Sequence, residues 1–303
     1  MDSKTIQIEN HSADKLERLV DFTFGMVKVA TGFGFPEGPV MMPQGFLIFS
    51  DISNDQLVRF SRPDRTAIYR NQSKGANGNT LDLQGRLISC ETGYRRLSRT
   101  ETNGDVTVLA DNYQGKLLNA TNDVIVRNDG TILFTDPIFL GEYETFLGSS
   151  YKALDFSGVY SIDAKGNLSL VTTSLDFPNG LALSPDEKTL LVGNSDDNCI
   201  YAFGKNSDGY SSKGDLWLEM DSDLTGVADG LKVDIDGNVY STGPGGIWVA
   251  DNSGKPLGII KFEEITTNLA FYGLDSHMLV VTAPPSLYML KLKIPGISVL
   301  ERL

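Results

Sequence analysis

The sequence predicts an all-β chain folded as a six-bladed β-propeller with four-stranded antiparallel blades. Three observations carry this expectation: one short phrase occurs six times, the copies are evenly spaced, and no helical period persists. The phrase is a turn followed by an apolar strand, read as "GFLIFSD" at 45, "GRLISCE" at 85, "GTILFTD" at 130, "KTLLVGNS" at 188, "GNVYSTG" at 237 and "HMLVVTA" at 277. Successive copies lie 40, 45, 58, 49 and 40 residues apart, the period of propeller blades. A 3.6-residue apolar pattern occurs only briefly, near residues 12–20,.

The flanking segments repeat in step. Before each phrase stands another strand signal, "EGPVMM" (37), "NGNTLD" (77), "NDVIVR" (122), "NGLALS" (179), "DGLKVD" (229) and "TNLAFY" (267). After it comes a third, "QLVRFS" (56), "RLSRTE" (96), "GVYSID" (158), "CIYAFG" (199), "GIWVAD" (246) and "SLYMLKL" (286). A fourth follows: "TAIYRN", "VTVLAD", "LSLVTT", "LWLEM", "PLGIIKF" and "ISVLERL". Radial closure of such units protects their sheet edges. Residues 26–31, "MVKVAT", are expected to pair with the last blade and close the ring. The organisation is then an N-terminal extension, 1–25, and one propeller domain, 26–303.

Composition narrows the function. The 39 acidic and 26 basic residues give a net charge of −13, which argues against nucleic acid and anionic membranes as partners. A polar beginning without a signal-peptide pattern, and no apolar run of membrane-spanning length, lead to a cytoplasmic expectation,. Cys90 and Cys199 form no metal-binding spacing and read as buried thiols of a reducing compartment,. With only His11 and His277 present, a histidine-based triad or zinc site has little material.

The innermost strand of a propeller blade lines the central channel. The residues opening those strands are Glu37, Asn77, Asn122, Asn179, Asp229 and Asn268, all carboxylates or amides. Rotation about the axis should gather their oxygens at one face. "FPEGPV" at 35 and "FPNGLA" at 177 are two writings of that ring position, differing in ligand charge. Hard oxygen donors suit Ca²⁺, or Mg²⁺ and Mn²⁺, better than Zn²⁺, and Glu37 with Asp229 balances a divalent charge. The alternative is that Asn and Asp before Gly serve as turn residues.

The second strands end at the same face in Asp51, Glu91, Asp136, Asn194–Ser195, Thr242 and Ala283. These residues either orient the ring from behind or merely terminate strands. The loop 137–157 carries Phe139, Tyr143, Phe146, Tyr151 and Phe156; its length and aromatic content suggest a substrate lid.

The stretches "GFGFPEGPV", "CETGYRRLSRTE", "NATNDVIVRNDGTILFTDP", "FPNGLALSPDEKTLLVGNS" and "DGLKVDIDGNVYSTGPGGIWV" resemble the SMP-30/gluconolactonase/LRE-like (regucalcin-like) family over roughly residues 26–290. The resemblance implies a six-bladed propeller binding one divalent metal, often calcium, in many cases to hydrolyse lactones. It implies Glu37, Asn179 and Asp229 as metal ligands, Asn122 as a ligand or substrate contact, and Asp229 as general base. Relatives commonly carry His where Thr92 stands and a small polar residue where Tyr94 stands. Their Pro-Tyr-Gly after "FTDP" is replaced here by "IFLG".

The expected activity is therefore metal-dependent opening of a cyclic ester, bulkier or more apolar than a sugar lactone. Asp229 is the catalytic base; Glu37, Asn122, Asn179 and Asp229 hold the cation, with Ca²⁺ first and Mg²⁺, Mn²⁺ or Zn²⁺ as alternatives. Asn77, Asn122, Thr92, Tyr94 and Phe139 contact the small-molecule substrate. Hydrolysis of organophosphates or cyclic diketones fits the same site. A non-catalytic calcium-binding propeller acting in protein interaction, and a condensing enzyme on the same fold, are the readings from other classes.

Overall fold

Short runs of β-branched and aromatic residues, each closed by a Gly- or Asp-centred turn, fold into six four-stranded antiparallel blades. The computed structural model describes residues 3–9, 13–61, 65–139, 152–207 and 209–302. Blades one to five run in chain order over 36–71, 76–110, 124–172, 178–219 and 231–261. Their inner hairpins turn through residues that sequence alone marks. At Gly85 and Gly237 the backbone takes φ of +73° and +86°, which glycine adopts without strain. Asp82 and Asp234 each accept hydrogen bonds from backbone N–H groups of the same turn.

The sixth blade corrects one expectation. Its fourth strand is Met26–Thr31, paired antiparallel with Ser286–Lys291 and flanked on its outer side by Ser3–Lys4, so residues 26–31 do close the ring. The segment "ISVLERL" is therefore not a fourth strand. Gly296 passes so close to Phe271 that a Cβ there would lie 2.0 Å from the ring, which turns the chain beneath the propeller. Ile297 N donates to Val233 O at 3.2 Å, and Val299–Arg302 forms a short 3₁₀ turn. Ile297, Ser298 and Val299 thereby line the far end of the axial tunnel.

The blades pack face to face through apolar side chains. Phe134 and Tyr160 stack at 5.3 Å within the third blade's core, and Phe49 and Phe60 are fully buried beside the sixth blade's Val280 and Met289. The helix Ala13–Leu19 buries Leu16 and Leu19 against the fifth and sixth blades. Cys90 and Cys199 are buried and unbridged. Among the described residues no helix is long and apolar enough to cross a membrane.

Candidate functional site

Glu37, Asn77 and Asn179 lie inside inner strands rather than in turns, and Asn122 and Asp229 lie just before theirs. The Asn-Gly and Asp-Gly pairs therefore answer to packing. A Cβ on Gly38 would stand 2.1 Å from Asn77 O, and one on Gly180 would stand 2.1 Å from Asp229 O. At these two positions neighbouring inner strands approach so closely that only glycine fits,.

Hydroxyl groups of the second strands lock this approach from blade to blade. Ser50 Oγ donates to Asn77 O at 2.7 Å, and Thr135 Oγ1 donates to Asn179 O at 2.8 Å. Ser195 Oγ donates to Ala228 O at 2.6 Å while accepting from Asn179 Nδ2 at 3.0 Å. That last bond turns the Asn179 amide so that its nitrogen is engaged and its oxygen is not.

The sixth member of the ring requires a correction. Thr267 N donates to Thr282 O at 2.9 Å, as Asn122 N does to Thr135 O at 2.8 Å. Thr267, not Asn268, thus holds the ring register, and its hydroxyl is spent on Pro36 O and Thr282 Oγ1. Asn268 matches Asp123 instead: each backbone N–H meets a threonine Oγ1, and each side-chain oxygen accepts from the following N–H. From that next layer Asn268 Nδ2 reaches Glu37 Oε2 at 2.9 Å.

Glu37 is 3% exposed and Asn77, Asn122 and Asn179 are buried, while Asp229 is half-buried. Burial pushes the Glu37 carboxyl up to about 7, opposed by the Asn268 hydrogen bond and reinforced by the charge of Asp123. Burial also drives Asp229 well above the usual carboxylate range, with Glu37 and Asp123 adding to the rise. Asp123 is raised by burial too, with Lys232 and nearby N–H groups working against it. Three carboxyl groups thus compete for charge in one desolvated space.

Whether this space suits a cation turns on its unsatisfied oxygens. Among the described residues, Asn77 Oδ1, Asn179 Oδ1 and Asp123 Oδ2 are buried and accept no hydrogen bond. Buried acceptors are normally satisfied, so such a set beside two carboxylates fits a hard divalent ion. No three His, Cys, Asp or Glu side chains among the described residues come close enough to hold a metal alone. A cation here would need a mixed donor set, with charge from Glu37 and Asp229 and neutral oxygens from the amides.

Behind the ring, the strand-terminal residues act on its approach segments. Asp51 Oδ1 accepts from Gly34 N and Phe35 N, both at 3.0 Å. Asp136 accepts from Asn119 N at 2.8 Å and Ala120 N at 2.7 Å, and Asn194 Oδ1 accepts from Phe177 N at 2.8 Å. Each clamp sits two or three residues before Glu37, Asn122 or Asn179. Glu91 departs from the pattern and pairs with Arg70 and Arg96.

Of the substrate-contact candidates, Thr92 is buried and its hydroxyl donates to Thr121 O at 2.7 Å, directly before Asn122. Tyr94 is 53% exposed, with Lys74 Nζ 4.9 Å and the Arg96 guanidinium 5.1 Å from its ring centre. Phe139 is buried and meets Phe177 edge-on at 5.0 Å, beside Ala120. Tyr143, Phe146 and Tyr151 of the lid expectation lie outside the described residues. Two residues went unread in the sequence, Asp123 and Lys232. Their signals were present: "ND" breaks the ring position's habit of preceding glycine, and "GLKVD" sets a charge inside an apolar strand.

A family model for the SMP-30/Gluconolactonase/LRE-like region matches residues 35–284. A gluconolactonase of Zymomonas mobilis is 29% identical over 283 residues, covering 86% of this chain and 79% of the relative. A solved gluconolactonase of Xanthomonas campestris superposes with a TM-score of 0.85 at 29% identity, covering 96% of this chain and 95% of that one. The calcium-binding protein regucalcin of Agrobacterium tumefaciens superposes at 0.72 with 18% identity, covering 88% and 93% of the two chains; that likeness is one of fold.

Proposed function

The chain belongs to the SMP-30/gluconolactonase/LRE-like family, and from that premise we propose that it is a divalent-cation-dependent hydrolase opening a lactone at the ring. The gluconolactonase relatives support the reaction class. The observation that carries the site is the meeting of Glu37 and Asp229 with buried, unsatisfied amide oxygens of Asn77 and Asn179. Glu37, Asn179 and Asp229, with Asn122, would hold the cation, Ca²⁺ being the first choice for an all-oxygen set. When bound there, a divalent cation supplies Lewis-acid polarisation of the ester carbonyl and offsets charge developing on its oxygen.

The chain's own groups do the remaining work. Asp229 is the half-buried member of the carboxylate pair, so its oxygens can meet an incoming water. It takes the proton of that water as the oxygen attacks the carbonyl carbon. The same carboxyl then returns the proton to the departing ring oxygen, leaving a hydroxy acid. The amide groups of Asn77 and Asn122, on neighbouring blades, orient the substrate's oxygens.

The rim supports a substrate with apolar bulk beyond a sugar ring. Phe139 and Phe177 form an aromatic pair beside the segments entering Asn122 and Asn179. Tyr94 presents an exposed aromatic ring. Thr92 has its hydroxyl engaged by backbone and offers no free imidazole-like group.

The test is a panel of sugar, aliphatic and aromatic lactones assayed on chelator-treated and reconstituted protein. Turnover that disappears on chelation and returns with one divalent ion is expected, greatest for a substituted apolar lactone. Undiminished turnover without metal would overturn the reading.

A further inference from the structure

The axial tunnel continues beneath the ring as a narrow cavity of about 80 Å³. Its walls are largely apolar, including Val124, Ile125, Leu181, Ala182 and Ala270, and each blade's inner strand contributes two or three lining residues. Among the described lining residues there is one cation, Lys232, three positions after Asp229 on the same chain segment. Its ammonium donates to Leu231 O at 3.0 Å and makes no direct ion pair with a described carboxylate.

An ammonium placed among apolar walls is costly unless it answers anions. Carboxyl groups border the same walls: Asp123 directly precedes Val124, Glu37 stands two residues before Pro39, and Asp229 stands three before Lys232. Glu37 Oε2 is held by Gly38 N at 2.6 Å and Asn268 Nδ2 at 2.9 Å. Asp123 Oδ1 accepts from Val124 N at 2.8 Å, and its Oδ2 is buried without a hydrogen bond. Asp229 completes the set. Lys232 favours the charged form of all three carboxyl groups.

We propose that Lys232 is the charge-balancing residue of this tunnel, cancelling one of three carboxylate charges so that the ring is matched to a divalent rather than a trivalent cation. This rests on the reading of the ring as a cation site. It assigns Lys232 no contact with substrate; it acts on ion choice across the tunnel.

The experiment is a competition between Ca²⁺ and Tb³⁺, ions of similar size, on chelator-stripped protein, read by calorimetry and terbium luminescence. Lys232→Met should raise the ratio of Tb³⁺ to Ca²⁺ affinity about tenfold or more, since one unit charge is removed from a tunnel where charges are weakly screened. Lys232→Arg should keep the wild-type ratio. Asp123→Asn alone should lower it, which keeps the test open if the methionine variant does not fold. The double variant Asp123→Asn/Lys232→Met should return it close to wild type. An unchanged ratio in Lys232→Met, or equal weakening of both ions, would overturn the assignment, because a lysine that only packs has no preference for ionic charge. Uptake of neither ion by the wild-type protein would instead defeat the cation-site reading itself.

Discussion

Asn268 Nδ2 donates to Glu37 Oε2 at 2.9 Å across the seam where the last blade meets the first. The propeller is therefore joined at its site by a side-chain hydrogen bond as well as at its rim by the strand Met26–Thr31. Asn268→Ala leaves the buried Glu37 carboxyl with one fewer donor. The cation-free protein should lose about 1–3 kcal/mol, read by urea unfolding. A change under a few tenths of a kcal/mol would show that the bond does not hold the seam.

Asp229→Asn keeps the shape of a ring residue while removing the base. Turnover should fall by roughly 10²-fold or more, with the melting temperature of the cation-free protein preserved or raised, since a desolvated carboxyl is replaced by a neutral amide. Steady-state kinetics beside a thermal melt checks both halves. Near-normal kcat in a folded variant would remove Asp229 from the role.

Gly180 tests the account of the ring's close packing. A Cβ there meets Asp229 O at 2.1 Å, so Gly180→Ala must push two inner strands apart, at a cost of roughly 1–3 kcal/mol. Gly204 has nothing within 4 Å of an added Cβ and serves as the control, with Gly204→Ala within about 0.5 kcal/mol of wild type. Equal stability of the two variants would mean that the ring tolerates spreading.

These residues also mark what sequence pattern could and could not convey. Blade number and strand order follow from the spacing of repeated apolar runs, and Glu37 and Asn179 follow from one phrase written twice. Pattern fails where the answer depends on a single residue of register. "TNLAFY" offers both Thr267 and Asn268 as ring members, and only the bond from Thr267 N to Thr282 O decides between them. "ISVLERL" has a strand's composition, yet the last blade's edge is already taken by residues 26–31, an outcome set by competition between distant segments. Asp123 and Lys232 escape for a related reason: they sit a layer below the ring, and their significance lies in each other's charge.

Asp136 gives a pH dependence with a definite sign. Burial raises its carboxyl to about 7, against the hydrogen bonds from Asn119 N and Ala120 N, which favour the charged form. A group whose folded pKa lies above its unfolded value binds more protons when folded across that interval, so ionising it costs stability as pH rises. Between about pH 4 and 7, Asp136 should therefore subtract progressively from stability, and the loss should level off above 7,. Asp136→Asn abolishes this slope, so the stability difference from wild type should shift in the variant's favour by up to a few kcal/mol over that window. Urea melts at a series of pH values provide the comparison. A difference independent of pH would contradict it.

In the proposed site, oxygens from different blades grip one cation on the propeller axis. The most direct measurement is anomalous diffraction from crystals grown with Mn²⁺ or Ca²⁺. A single strong peak is expected on the axis, within about 2.0–2.6 Å of oxygens from Glu37, Asn179 and Asp229. Well-ordered crystals with no peak there, or with the ion held by residues outside that ring, would contradict it.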